Sequence, residues 1–201
     1  MPKIGIMGGT FDPVHYGHLL AAEESRRILN IDKIIFVPTG DPLYKKHYNY
    51  ITPAEDRYAM TLLATAGVLE YSVSRTEIDR KIPTHTVDTL REFLNSGIDP
   101  EDLFFITGLD AVLSITSWFE YEKIPDMCTI VTAPRPGWDV KAINNLPEII
   151  LNKLKVVEIP QFAISSTEIR ERVQNNKGIR FLVPHLVQIY IESNNLYKIK
   201  I

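Results

Sequence analysis

One cysteine, Cys128, occurs in 201 residues, so no internal disulfide is available. It lies in the apolar run Cys128-Thr129-Ile130-Val131, where it reads as a small buried hydrophobe, in keeping with a reducing compartment. Metal-ligating residues are sparse as well. Beyond His15 and His18 there are only His47, His85 and His185, without zinc-site spacing, so a structural zinc is disfavoured. No apolar stretch approaches the roughly 20 residues that span a bilayer, and Met1 to Met7 runs directly into an apolar strand pattern rather than a leader. The expectation is a cytoplasmic protein without a membrane partner. With 22 basic and 25 acidic residues, a formal charge of −3 gives no global basic footprint, which argues against nucleic acid as a partner. Repeats, low-complexity tracts and Gly/Ser linkers are missing too. Neither Gly-x-Gly-x-x-Gly nor Gly-x-x-x-x-Gly-Lys-Ser/Thr occurs, which weakens a dinucleotide-dehydrogenase or P-loop kinase reading.

What is present alternates. Short β-type runs cover Ile4 to Met7, Lys33 to Val37, Glu70 to Ser74, Leu103 to Thr107, Cys128 to Thr132 and Leu154 to Ile159. Helical patterns lie between them. Leu19 to Asn30 is amphipathic, and Thr52-Pro53-Ala54-Glu55 reads as a capping box with proline at the first helical position. Thr86 to Leu94 and the region after Trp138 are further candidates, and Ser165-Ser166-Thr167-Glu168 is a second capping box. Such alternation predicts an α/β fold, a doubly wound and mostly parallel sheet with helices on both faces. A hydrophobic fraction of 45% over this length suits one domain, residues 1–201, with 184–201 a small C-terminal helical segment packed on it. Ligands of such sheets bind beyond the carboxyl ends of the strands, so functional residues are expected just after strands.

The first such segment carries the most information: Gly8-Gly9-Thr10-Phe11-Asp12-Pro13-Val14-His15-Tyr16-Gly17-His18. Two glycines permit a tight turn and close approach of backbone to ligand, and a helix starting near Gly17 aims free amides at an anion. His15 and His18, three apart, share a helical face and can reach one phosphate group; as a bare pair they are equally well a packed and a solvated histidine. Far away, Ile164-Ser165-Ser166-Thr167-Glu168-Ile169-Arg170 opens another helix, where plain N-capping by Ser165 and phosphate binding are compatible, since both use the helix amino end.

Those two stretches resemble the His-x-Gly-His and Ile-Ser-Ser-Thr-x-x-Arg signatures of the nucleotidyltransferase superfamily, which transfers AMP or CMP from a nucleoside triphosphate. From Lys3 to Tyr197 the chain is similar to the bacterial nicotinate mononucleotide adenylyltransferases. Pro38, Pro42-Leu43-Tyr44-Lys45, Arg57, Thr86, Gly108-Leu109-Asp110, Trp118, Arg135-Pro136-Gly137, Phe181-Leu182-Val183-Pro184 and Asn195-Leu196-Tyr197 occur in family-like order. Phosphopantetheine adenylyltransferases and glycerol-phosphate cytidylyltransferases share the signatures but are usually shorter.

The resemblance implies transfer of AMP from ATP to nicotinate mononucleotide, with ATP and that mononucleotide as partners and Mg²⁺ arriving on ATP. His18, His15 and Arg170 are the implied catalytic set. Gly8, Gly9, Thr10, Phe11, Gly108, Asp110, Ser165, Ser166 and Thr167 join them around ATP; Thr39, Lys45, Thr86, Trp118 and Arg135 would hold the mononucleotide. Simpler readings stand beside these: Trp118 as a core filler, Thr86 or Asp110 as helix caps, and Lys45 as solvated surface. Tyr44 stands where the family commonly has histidine and His85 where it often has tyrosine, so contacts there do not transfer. Nicotinamide mononucleotide as acceptor, alone or together with the nicotinate form, and a noncatalytic nucleotide-binding regulatory module are the alternatives. A homo-oligomer is compatible with the sequence.

Overall fold

A computed structural model describes residues 1–40, 51–80, 84–134, 140–160 and 163–198. Within them lie six strands, β1 (Ile4–Gly9), β2 (Lys33–Pro38), β3 (Tyr71–Val73), β4 (Leu103–Thr107), β5 (Thr129–Thr132) and β6 (Leu154–Val156). They form one sheet in the order β3-β2-β1-β4-β5-β6, and every pairing is parallel. The expected doubly wound sheet is therefore present. Its order reverses between β1 and β4, so a crevice opens beside the carboxyl end of β1, where the glycine loop begins.

Among the described residues eight α-helices cover the sheet: α1 (Tyr16–Leu29), α2 (Ala54–Thr65), α3 (Thr86–Asn95), α4 (Leu109–Leu113), α5 (Ile124–Met127), α6 (Glu148–Leu151), α7 (Ser166–Gln174) and α8 (His185–Ser193). Successive side chains of a strand point to opposite faces. Ile34, Phe36, Phe104 and Ile106 accordingly join Ala22 of α1, Met60 of α2, Ile169 of α7 and Val187 of α8 in one core. Ile6, Val37, Leu103 and Phe105 join Val87 and Leu90 of α3 and Ile124 of α5 in the other. Cys128 lies buried in that second core as expected, and burial pushes its thiol up to about 12.

Several boundaries move, each for a local reason. β3 and β6 are shorter than the apolar runs that announce them because they are the edges, each with a partner on one side only. The Thr52 capping box does not form: Pro53 takes the cap position without a side-chain cap, and Glu55 is drawn to Arg75 instead. Thr86 is the first helical residue of α3, and His85 is its cap. Among its described residues, the C-terminal segment is helical over α8 alone. Beyond it Asn195 and Tyr197 take left-handed backbone, and Tyr197 turns back into the core. The second capping serine behaves as expected, since the Ser165 hydroxyl accepts from the Glu168 amide at 3.1 Å.

One buried acid lies off the strand ends. Glu77, 9% exposed, receives hydrogen bonds from the Thr84 and Thr89 hydroxyls at 2.9 and 2.7 Å. Burial raises its carboxyl above the usual range, against the lowering effect of the two hydroxyls and of Arg80. A raised native pKa means that the folded state binds more protons than the unfolded chain, so the stability this group contributes falls as pH rises through the native value. Glu77→Gln is therefore expected to gain stability relative to the wild type with rising pH above the ordinary carboxylate range, then to level off. Urea titrations at a series of pH values check this, and a constant difference between the two proteins would contradict it.

Candidate active site

The glycine loop leaves β1 between two neighbours. A Cβ on Gly8 would stand 3.1 Å from the Phe105 ring of β4, and one on Gly9 2.9 Å from the ring of Phe11, so the backbone here passes where a side chain has no room. Phe11 is buried with φ of 50°, an uncommon conformation for a residue with a Cβ. It lends one ring to His18, edge on, with centroids 5.1 Å apart. Thr10 follows Gly9, and Thr39, just past β2, donates its backbone N–H to the Gly9 carbonyl at 2.9 Å. The loop is thus bonded on the β2 side and closely packed against the Phe105 ring on the β4 side.

His15 caps α1 in extended backbone, with φ of −148°. Its own N–H donates to Nδ1 of His18 at 3.2 Å, and the two imidazoles lie 3.7 Å apart with 31° between their planes. An Nδ1 that accepts leaves the proton of neutral His18 on Nε2, so the distal nitrogen of this ring is a donor. His15 itself is fully covered, whereas His18 is half-buried. A Cβ on Gly17 would meet the His15 ring at 3.0 Å and the Ile164 carbonyl at 3.7 Å, so α1 and the second motif close on each other at this glycine.

The second motif is stitched onto the first. The Ser166 hydroxyl donates to the Pro13 carbonyl at 2.9 Å across 153 positions of sequence, and Arg170 Nη1 donates to the Asp12 carbonyl at 2.7 Å. The other Arg170 nitrogen reaches the Thr167 hydroxyl at 3.2 Å. These bonds sort the hydroxyls. Ser166 spends its proton on protein, while Ser165 and Thr167 act as acceptors in their bonds and keep a proton to donate.

Three residues support this arrangement without a role assigned from the sequence. Asp12, 4% exposed, has one carboxylate oxygen bonded by the Tyr197 hydroxyl at 2.7 Å and the other by the Thr52 amide at 3.3 Å. Burial and the Asp12 charge push the Tyr197 phenol far above its ordinary value, so it is a donor throughout the working range of pH. Arg57, 1% exposed, donates to the carbonyls of Thr52, Thr10 and Gly40 at 2.9, 2.8 and 2.9 Å. A lone aspartate in a glycine loop is a usable signal; the carbonyls that Arg57 ties together have none.

Gly108, Asp110 and Trp118 follow β4, on the other side of β1 from β2. Gly108 follows β4 and caps α4, and the Asp110 carboxylate folds over it, with Oδ1 2.4 Å from where a Gly108 Cβ would stand. The caps of α3 and α4 are His85 and Gly108, so neither Thr86 nor Asp110 is a plain N-cap. Trp118 is half-buried, its ring meeting Phe105 edge on at 6.1 Å, and Phe105 also touches the Gly8 position. Next to it the exposed Phe119 ring lies against His85 at 4.6 Å, bringing the Trp118 segment to the amino end of α3. Lys45 and Arg135 lie outside the described residues. Among the described residues no three His, Cys, Asp or Glu side chains group as a metal set, and no helix is long and apolar enough to cross a membrane.

Comparison with known proteins follows the same lines. Residues 6–172 match the family described as cytidylyltransferase-like. The probable nicotinate-nucleotide adenylyltransferase of Moorella thermoacetica is 46% identical over 200 residues, covering 98% of this chain and 92% of that protein. The protein of the same name from Acidothermus cellulolyticus is also 46% identical, with 98% and 94% covered. Among solved structures, Plasmodium falciparum nicotinic acid mononucleotide adenylyltransferase complexed with APC superposes with a TM-score of 0.76 at 22% identity over 98% of each chain. At that identity the superposition speaks for the fold alone.

Proposed function

Because the chain belongs to the cytidylyltransferase-like family and, within it, to the nicotinate-nucleotide adenylyltransferases, we propose that it joins the AMP part of ATP to nicotinate mononucleotide, releasing pyrophosphate and making nicotinate adenine dinucleotide for NAD synthesis. The observation that carries this reading is the joining of the two signature motifs, Ser166 to Pro13 and Arg170 to Asp12, at the loop that ends in the half-buried His18.

In the reaction a phosphate oxygen of the mononucleotide attacks the α-phosphorus of ATP. The bond from that phosphorus to the bridging oxygen breaks, and pyrophosphate leaves with the electron pair. The nucleophile is already an anion near neutral pH, so the protein has no proton to remove; its work is alignment and stabilisation of charge. His18 donates through Nε2 to the α-phosphate as charge builds in the transition state. His15 keeps that ring in place from behind. The Gly8, Gly9 and Thr10 backbone and the buried Phe11 shape the floor beneath the triphosphate. Ser165 and Thr167 hydroxyls and the first amides of α7 take the β- and γ-phosphates, beside the fixed charge of Arg170. Ser166 contributes by holding α7 to the loop.

ATP enters as its Mg²⁺ salt. The donor set facing the phosphates consists of hydroxyls, amides, imidazole and guanidinium, and the loop's one carboxylate, Asp12, is bonded through both oxygens to protein. That fits an ion carried in by phosphate oxygens and water. Asp110, over Gly108 beyond β4, suits the ribose hydroxyls of ATP. Thr39, the amides at the start of α3 around Thr86, and the open side of Trp118 make the acceptor half, with Lys45 and Arg135 assigned to it by family likeness. A helix amino end prefers an anion, so a carboxylate on the pyridine ring is favoured over an amide. We assign the protein to the cytoplasm on the same reading.

Pyrophosphate release from ATP and Mg²⁺, measured with nicotinate mononucleotide, nicotinamide mononucleotide and phosphopantetheine in turn, tests the assignment. Selective turnover of the nicotinate form is expected. Turnover of another acceptor would keep the mechanism and change the substrate, and ATP binding without release would leave a noncatalytic nucleotide-binding module.

A further inference from the structure

The reaction leaves one buried acid unused, and that acid touches both halves of the site. The Glu77 carboxylate accepts from Thr84, the residue before the α3 cap, and from Thr89 in the first helical turn. It therefore clips the chain entering α3 to the helix itself, across the cap residue His85. The Glu77 backbone faces the other way. A Cβ on Gly40 would stand 2.0 Å from the Glu77 carbonyl oxygen, so only glycine lets the chain after β2 pass this close. The Gly40 carbonyl in turn accepts from Arg57, whose other nitrogen holds the Thr10 carbonyl of the nucleotide loop. One residue thus stands between the ATP loop, through Gly40 and Arg57, and the amino end of α3, through two hydroxyls.

We propose that Glu77 is a positioning residue, which holds the amino end of α3 in register with the nucleotide loop and so sets the affinity for the acceptor mononucleotide. This rests on the assignment of the α3 amino end to the acceptor half made above. Glu77 touches neither substrate. Its effect is carried by the Thr84 and Thr89 hydroxyls, whose buried acceptor cannot be replaced by water without opening the loop. The consequence is asymmetric: loss of the clip frees the amino end of α3, while His18, Arg170 and the glycine loop keep their own bonds.

The test measures initial rates of pyrophosphate release with each substrate varied separately, for wild type, Glu77→Ala, Glu77→Gln and Thr89→Val. Glu77→Ala is expected to raise KM for nicotinate mononucleotide roughly tenfold, as losing about one hydrogen bond's worth of positioning would. KM for ATP and kcat should change by less than about threefold on the same scale. Glu77→Gln keeps one acceptor and supplies a donor that a threonine hydroxyl can accept, so it should return the mononucleotide KM close to the wild-type value. A folded Glu77→Ala protein with unchanged mononucleotide KM, or with both KM values raised equally, overturns the proposal. Should Glu77→Ala not fold, Thr89→Val, which removes one hydroxyl at constant shape, is judged by the same split. Hydrogen exchange supplies a readout independent of turnover: the amides of residues 84–90 should exchange faster in Glu77→Ala while those of 8–18 do not, and equal protection in both proteins sinks the idea. Wild-type protein that turns over a different acceptor would overturn the substrate assignment alone, and the split would then be read on that acceptor.

Discussion

Replacing His18 with alanine is expected to cut turnover by roughly 10² to 10³ while leaving the protein folded. The magnitude is that of removing one donor aimed at transition-state charge in a site that excludes water. The folded state is expected to lose less, because the ring is only half-buried and its bond from the His15 N–H and its contacts with the Phe11 and His15 rings are local. Two contributions must still be separated, since His18 both helps to cap α1 and, in the proposed mechanism, donates to phosphate. His18→Asn does this. The asparagine Oδ1 occupies the place of Nδ1 and can accept from His15, but its amide nitrogen stops short of the position of Nε2. Its stability should stay near that of wild type while turnover falls nearly as far as with alanine. Thermal melts alongside steady-state rates check both parts. Near-normal turnover in a folded His18→Ala protein would remove His18 from the chemistry, and normal turnover in His18→Asn would reduce its role to capping.

The largest loss of stability is expected at Arg57. Its guanidinium bonds to the carbonyls of Thr52, Thr10 and Gly40, which come from the start of α2, the glycine loop and the chain after β2. Arg57→Met keeps most of the apolar stem and leaves those carbonyls, one buried and two part-buried, without this donor. At about 1 to 3 kcal/mol for each unsatisfied group, offset by no longer burying a charge, a net loss of about 3 to 5 kcal/mol follows. Against a typical stability of about 5 to 15 kcal/mol, that is a large fraction of the whole. Arg57→Lys should recover little of it. An ammonium on a flexible stem does not reproduce a planar fork that serves three acceptors at once. Urea midpoints for the three proteins decide the matter; a loss below about 1 kcal/mol in Arg57→Met, within the range of an ordinary surface substitution, would show that the carbonyls find other donors.

Wild-type Arg57 is also one of several ties that hold the glycine loop in place. Thr10 is held by Arg57, Asp12 by Tyr197 and Thr52, and the Asp12 and Pro13 carbonyls by Arg170 and Ser166. The ties come from three parts of the chain, the start of α2, α7 and the segment after α8, so the loop's shape is overdetermined. Such preorganisation is what a catalyst working by alignment and charge requires, since the cost of ordering the donors is met in folding rather than at the moment of reaction.

By itself the sequence determined what is local and periodic. Apolar runs marked the four central strands most plainly, because a strand buried on both faces must be apolar along its length. The glycine loop and the Ser165 motif were legible because turning tightly and capping a helix need particular residues at particular spacings. Local rules misplaced the start of α2, where Pro53 is the cap and Glu55 pairs with Arg75, a residue 20 positions away. They also extended the C-terminal helix past Ser193, although Tyr197 turns inward toward an aspartate 185 positions earlier. Tertiary structure alone decided which donors meet which acceptors: Arg57 with its carbonyls, Tyr197 with Asp12, Ser166 with Pro13, Glu77 with its threonines. The reason is physical. Every residue carries the same backbone carbonyl, so a sequence cannot mark which of them a distant side chain will bind until the sheet has brought the two together.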